Sequence, residues 1–260
     1  QIPHLIDLTL FKRLKPQRLD SRPTAVLYSG HLSNHPNGIP MSVAALSESP
    51  PDSAREVFLA AGMRLYPELG YQHLSVRLLA AEAGLSPGMF HHLFANKEAF
   101  VAEVLQRKYD AAFAELQLQV RPGRSVRENL RDALRFLAFF ARAHQNWIVR
   151  VFSDAPAVAA IREFIRQYAG MRHVSLIIDL LARADRQGLL ALSLIHISEP
   201  LQRSAFLMGA ILAPMLIGSR LQASGLLPDF LAASFAPQVM EDAAIVQRID
   251  WALDVLFLHG

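Results

Sequence analysis

Three short clusters and one lysine carry the side chains best suited to recognition chemistry. They are Ser75 with Arg77, Ser86 with Gly88 and Met89, His91 with His92, and Lys97. Ser75 and the free amides of a helix it opens can donate to a phosphate, because a helix N-terminus attracts anions. The forked guanidinium of Arg77 suits a phosphate or a guanine edge. Gly88, beside Ser86, removes a side chain where one backbone must approach another. Met89 can pack on a thymine methyl, and His91 and His92 can hydrogen-bond to phosphates or base edges. Lys97 adds charge for a further phosphate. This chemistry binds and orients a partner; it breaks no bond.

Catalysis finds no support in the residues. There is no nucleophile elbow, no metal-binding histidine pair on one turn of a helix and no convincing dyad, so no catalytic residue is assigned. His91 and His92 are adjacent, and neighbours on a helix point about 100° apart, which makes them poor co-ligands for a metal. No metal site and no cofactor is expected. The 260 residues contain no cysteine, which removes disulfides, thiolate nucleophiles and cysteine zinc sites. A formal charge of +3 permits contact with nucleic acid without demanding it.

The elements that must position these side chains are helices. Asp52 or Ser53 is a candidate cap for a first helix whose apolar residues Val57, Phe58, Ala61, Leu65 and Tyr66 recur at helical spacing, with Gly70 closing it. Ser75 caps a second helix ending at Ala83, and Gly84 suits the left-handed residue after it. Ser86-Pro87 opens a third helix, and Asn96 caps a fourth carrying Phe100, Val104 and Leu105. The tight join at Gly84-Leu85-Ser86 makes helices two and three a helix-turn-helix candidate, packed by Leu78, Leu79, Ala83, Phe90 and Phe94. Ser125 and Glu128 form a capping box for a helix with Leu130, Leu134, Leu137 and Ala141 on its apolar face. Asp154 with Pro156 starts another, and Leu201–Ser224 and Val239–Leu258 are the last two. No strand alternation, glycine-rich nucleotide loop or internal repeat is present. The fold class is all-α: a three-helix helix-turn-helix head and a helical-bundle body.

The run Gly70-Tyr71, Ser75-Val76-Arg77, Ala80, Ala83-Gly84-Leu85-Ser86, Gly88, His91-His92, Phe94 and Asn96-Lys97-Glu98 resembles the DNA-binding signature of the TetR family. The resemblance covers Ala54 to Leu105. His91 stands where the family commonly has a phosphate-contacting tyrosine, Leu93 where a histidine or tyrosine is frequent, and Pro67 lies in the last turn of the first helix. The resemblance implies a ligand-responsive regulator, a repressor or activator, that binds a palindromic operator in double-stranded DNA as a homodimer. Its two heads would meet half-sites about 34–36 Å apart or a multiple of that. It also implies an effector pocket in the body, for a small molecule whose identity the sequence leaves open. Phe136, Phe139, Phe140, Trp147 and Phe152 are candidates for its walls, and Arg142, His144, Arg150, Tyr168 and His173 for its polar contacts. Ile211, Met215, Ile249, Leu253 and Leu256 are the candidate seam between protomers, on the last two long helices. The alternative is a helical ligand-binding or interaction protein without DNA binding; an enzyme is the weaker rival.

The expected domains are a leader over 1–40, a short arm over 41–52, the DNA-binding head over 53–104 and the effector and dimerisation body over 105–260. Residues 1–40 lack helical or strand period, and Met41 reads as the native start, with 1–40 as translated upstream sequence; the alternative is a disordered N-terminal arm. The nine residues Leu192-Ser193-Leu194-Ile195-His196-Ile197-Ser198-Glu199-Pro200 look like an in-frame translation of a sequencing-library adapter, inserted near a loop. The longest apolar stretch, Ala205–Gly218, is shorter than the roughly 20 residues of a membrane span and reads as a buried helix. No membrane partner and a cytoplasmic location are expected.

Overall fold

The computed structural model describes residues 51–169, 172–191 and 199–258. The expectations for 1–40, for Met41 and most of the 41–52 arm, and for 192–198 lie outside the described residues. The twelve α-helices named here are α1 (Pro51–His73), α2 (Val76–Ala83), α3 (Pro87–Leu93), α4 (Lys97–Gln119), α5 (Val126–Ala143), α6 (Gln145–Asp154), α7 (Ala159–Phe164), α8 (Arg172–Arg186), α9 (Pro200–Ala213), α10 (Ser219–Ala223), α11 (Asp229–Phe235) and α12 (Asp242–Leu256). Wide π-helical turns continue α7 over Ile165–Ala169, join α9 to α10 over Pro214–Gly218, and follow α11 over Ala236–Met240. The only β contact among the described residues is a single bridge from Leu190 to Phe257. The class is all-α.

Helix ends follow their caps. Ser75 Oγ accepts the amide of Leu78 at 3.2 Å, Ser86 Oγ that of Met89 at 3.3 Å, and Asn96 Oδ1 that of Ala99 at 2.8 Å. Gly84, at φ 66°, lets Leu85 N–H reach Ala80 O at 3.0 Å while its own amide bonds Ala81 O, closing α2 by a Schellman motif. Ser125 and Glu128 complete the capping box that opens α5. Several expected boundaries move, the last helix among them, which starts at Asp242 and not at Val239. The first helix begins at Pro51, ahead of Asp52 and Ser53. Asp154 and Pro156 do not start a helix: Asp154 ends α6, and α7 starts at Ala159. The Asp154 carboxylate is instead drawn to a backbone amide of the head, as described below.

Two hydrophobic clusters organise the chain. The first gathers Phe58, Leu59, Tyr66, Leu79, Phe90, Phe94, Phe100 and Val104 from α1–α4, and extends to Val158, Ile161 and Phe164 of α7 and its junctions. The second gathers Leu116, Leu130, Leu134, Ile177, Leu181, Leu207, Ile211, Ile249 and Leu253 from α4, α5, α8, α9 and α12. α4 spans both, with Phe100 at one end and Leu116 at the other, so no helix break marks the expected boundary after residue 104. Leu78 does not join the head core: it is 46% exposed, because Leu79 and Ala80 take the inward face of α2. Arg131–Asp250 and Arg127–Asp254 ion pairs tie α5 to α12.

Candidate nucleic-acid interface and effector cavity

The head is held by rings. Phe58, Phe90, Phe94 and Phe100 contact one another at centroid separations from 4.8 to 6.1 Å, mostly edge to face. Arg55 adds a brace: its guanidinium forks onto Glu103, donates to Leu93 O at 2.8 Å and lies 4.7 Å from the Phe94 ring centroid. On this base α2 and α3 present Ser75, Arg77, Ser86, Gly88, His91 and His92, all exposed. Arg77 enters no ion pair among the described residues, which leaves its five donors for a partner.

Two of the expected DNA contacts sit differently. Met89 is half-buried and packs against the head core, so only part of its side chain faces outward. Lys97 is not a free surface charge. Its Nζ donates to Tyr71 O at 2.9 Å and Leu74 O at 3.0 Å, and lies 4.1 Å from the Tyr71 ring centroid. Those carbonyls are left open where α1 ends, and an ammonium is the natural group to close them. One N–H direction remains for a phosphate.

The head meets the body at a second joint. Gly70 takes φ 70°, ψ 176°, a region open essentially to glycine, and breaks the helical path of α1. Against it, Arg150 donates to Glu68 O at 3.0 Å, and Asp154 Oδ2 accepts the Tyr71 amide at 2.8 Å. Tyr66, fully buried, packs on Trp147 at 5.3 Å; burial, and then the Asp154 carboxylate, push its hydroxyl pKa far upward.

Behind this joint α4–α8 and the Pro200–Gly218 run enclose a cavity of about 510 Å³. Its walls are apolar, with Phe113, Phe136, Phe140, Trp147, Leu212 and Leu216 prominent. Lys108, Tyr109 and His173 bring polar atoms to it. The Tyr109 hydroxyl lies 3.0 Å from His173 Nδ1 and accepts the His173 backbone N–H at 3.3 Å. Burial holds the His173 pKa below its ordinary value and raises that of Tyr109.

Residues 58–104 match the family model described as bacterial regulatory proteins of the tetR family. The head of this chain is thus similar to the DNA-binding domain of that family. It is 25% identical over 132 residues to the HTH-type transcriptional regulator BetI of Rhizobium meliloti, covering 49% of this chain and 64% of that protein. It is 30% identical over 106 residues to the HTH-type transcriptional repressor KstR2 of Mycolicibacterium smegmatis, covering 41% and 51%. The chain thus spans between half and two thirds of these curated relatives. Among solved structures, a transcriptional regulator from Saccharomonospora viridis in complex with choline superposes with TM-score 0.63 at 17% identity, over 80% of this chain and 100% of that one. A TetR-family regulator from Mesorhizobium loti gives 0.60 at 14% identity, over 81% and 100%. At these identities they show a shared fold.

Within this tetR-type architecture the expected pocket residues divide. Phe136, Phe140, Trp147, Phe152 and His173 line the cavity, with Phe152 62% exposed at its edge. Phe139 does not: it faces a groove against α12, with Arg142 5.1 Å from its ring centroid. A helix shows one face inward, and residues 136 and 140 share it while 139 is turned about 60° from 136. Arg142 is taken by Met240 O and Asp242, and Arg150 by the head joint. His144 packs 4.4 Å from the Phe140 centroid, behind the wall, where burial and the Lys108 charge lower its pKa. The Tyr168 side chain lies outside what is described. Lys108, Tyr109 and Phe113 were not anticipated; Tyr109-Phe113-Leu116 at four- and three-residue spacing is the signal that α4 continues an apolar face into the body.

The residues expected at the dimer seam lie inside a single chain. Ile211, Met215, Ile249, Leu253 and Leu256 are each no more than 1% exposed within one chain and pack in the body core. Nor is the Pro200–Ala223 run, which is long and apolar enough to cross a membrane by length and composition, buried all round. It keeps Leu201, Ile217 and Leu221 exposed, and α12 keeps Trp251 and Val255 exposed. Among the described residues of these helices, the exposed apolar side chains are thus others than those expected at the seam.

Proposed function

We propose that this chain is a ligand-responsive transcription regulator, acting as a repressor in the cytoplasm and binding a palindromic operator as a homodimer. The observation that carries this is the capped helix-turn-helix within the matched residues, presenting Ser75, Arg77, Ser86, His91 and His92 to solvent on a ring-packed base. The dimer is assigned to the exposed apolar side, Ile217 and Leu221 with Trp251 and Val255; large unpartnered apolar surface of this kind marks an association site. Effector binding reaches the head through α6. The face of that helix that brings Trp147 and Val151 to the cavity also carries Arg150 and Asp154, which hold Glu68 and Tyr71. A ligand shifts the head only by its difference in affinity between the two arrangements.

The test is a fluorescence-anisotropy titration of the chain against duplex DNA from upstream of its own gene. Tight binding that withstands excess random DNA and weakens steeply with salt is expected. Equal, weak affinity for both DNAs would reject the regulator reading in favour of a ligand-binding protein. Sedimentation of Trp251→Glu tests the dimer side: the wild type should sediment as a dimer and the variant as a monomer.

A further inference from the structure

The cavity has an unusual charge inventory for an apolar site. Its walls include one lysine and no aspartate or glutamate among the described residues. Lys108 is half-buried, with Nζ 5.9 Å from the Phe140 ring centroid and 6.0 Å from that of Trp147, both wall residues. No described carboxylate pairs with it, although eleven other Arg–carboxylate contacts stud the chain. An ammonium facing an apolar hollow without a counter-charge is a strong attractor for one anion.

The Tyr109 hydroxyl accepts the His173 backbone amide and lies 3.0 Å from His173 Nδ1, so these two polar groups partner each other. The Lys108 ammonium is a donor only, and a ligand must bring the acceptor. A cation fares badly here. The faces of Phe140 and Trp147 that would cradle it are already fronted by Lys108, whose charge repels it.

Resting on the effector reading above, we infer that the cavity takes a singly charged apolar carboxylate, with its carboxylate on Lys108 and its hydrocarbon body among Phe113, Phe136, Phe140 and Trp147. At about 30 Å³ for each water-sized group, the volume admits a body of on the order of 15 non-hydrogen atoms. That is the size of a medium-chain fatty acid or a two-ring aromatic acid. A dianion would bury a second charge that no residue meets.

Three probes with one tail and different heads decide it: decanoate, 1-decanol and decyltrimethylammonium, titrated calorimetrically into the full chain. Decanoate should bind at least about tenfold tighter than 1-decanol, with the cation weakest. Lys108→Met should bring decanoate down to the affinity of 1-decanol and leave 1-decanol within about twofold; Lys108→Arg should keep the preference for the anion. Melting curves of both variants confirm that they fold. A cation binding as well as decanoate, an anion preference that survives Lys108→Met, or no binding by any probe would overturn the inference. Operator affinity is measured on the same samples. Decanoate that binds as described without changing DNA affinity would uphold the ligand class and reject the effector reading. Intact DNA binding with no probe bound would do the reverse for the ligand class alone.

Discussion

The head and the body use aromatic residues in opposite ways. In the head, Phe58, Phe90, Phe94 and Phe100 are fully or nearly fully buried and fill the space between α1, α2, α3 and the start of α4. In the body the buried core is aliphatic, built on Leu130, Leu134, Ile177, Leu181, Ile249 and Leu253, and the rings are half-buried around a hollow. Interlocked rings, with side-chain caps at the starts of α2, α3 and α4, leave little room for alternative packings, so the head moves as one piece. A wall of partly packed rings next to a void can rearrange at low cost. The same residue type supplies stiffness in one region and adaptability in the other.

Matched truncations break or sharpen this comparison. Phe90→Ala removes a ring with no neighbouring space to absorb the loss, and should destabilise by about 3–5 kcal/mol, the usual cost of such a cavity. Phe140→Ala merely enlarges an existing cavity and should cost less than half as much. Chemical denaturation of the two variants gives both numbers, and equal losses would mean that the body is packed as tightly as the head. At the joint between them, Gly70→Ala should cost about 1–3 kcal/mol, because alanine is strained at φ 70°. Its Cβ would also lie 2.6 Å from Arg150 Cδ. Ligand-induced change in DNA affinity should shrink in this variant, and an unchanged response would remove α6 from the route. Smaller again is Arg77→Ala, expected to weaken operator binding roughly tenfold and lower the salt slope by about one, with the dimer intact. Unchanged affinity and slope would place the DNA face elsewhere.

Legibility in the sequence followed the range of the interaction. Ser75, Gly84, Ser86, Asn96 and the Ser125–Glu128 box act on amides and carbonyls within five residues, so type and spacing were enough to place them. The seam residues failed for the opposite reason. Helices α9 and α12 are apolar around much of their circumference, and a 3.6-residue period cannot say which apolar side meets the chain's own core and which is left for a partner. Phe139 was assigned to the cavity by composition alone, although its helical phase already set it apart from Phe136 and Phe140. Lys97 was read from its charge, and its partners Tyr71 O and Leu74 O are carbonyls that only the Gly70 break exposes. Asp154 was read as a helix start because its true partner, the Tyr71 amide, lies 83 residues away.

The mildest test concerns protons rather than packing. His173 is neutral in the folded chain because burial disfavours its cation, so its pKa is depressed from the ordinary value near 6.5. The unfolded chain then binds more protons than the folded one below that value. Stability is full above about pH 6.5 and declines as the pH falls from there through the depressed folded value. Close by, Arg172 and Asp110 pair with each other, and the Tyr109 hydroxyl lies 3.0 Å from Nδ1. His173→Gln keeps a polar side chain but cannot take a proton, so its melting temperature should vary less between pH 7.5 and 5.5 than that of the wild type. Equal slopes would mean that His173 takes up a proton as readily in the cavity as in the unfolded chain, so that at low pH the cavity would hold two positive charges.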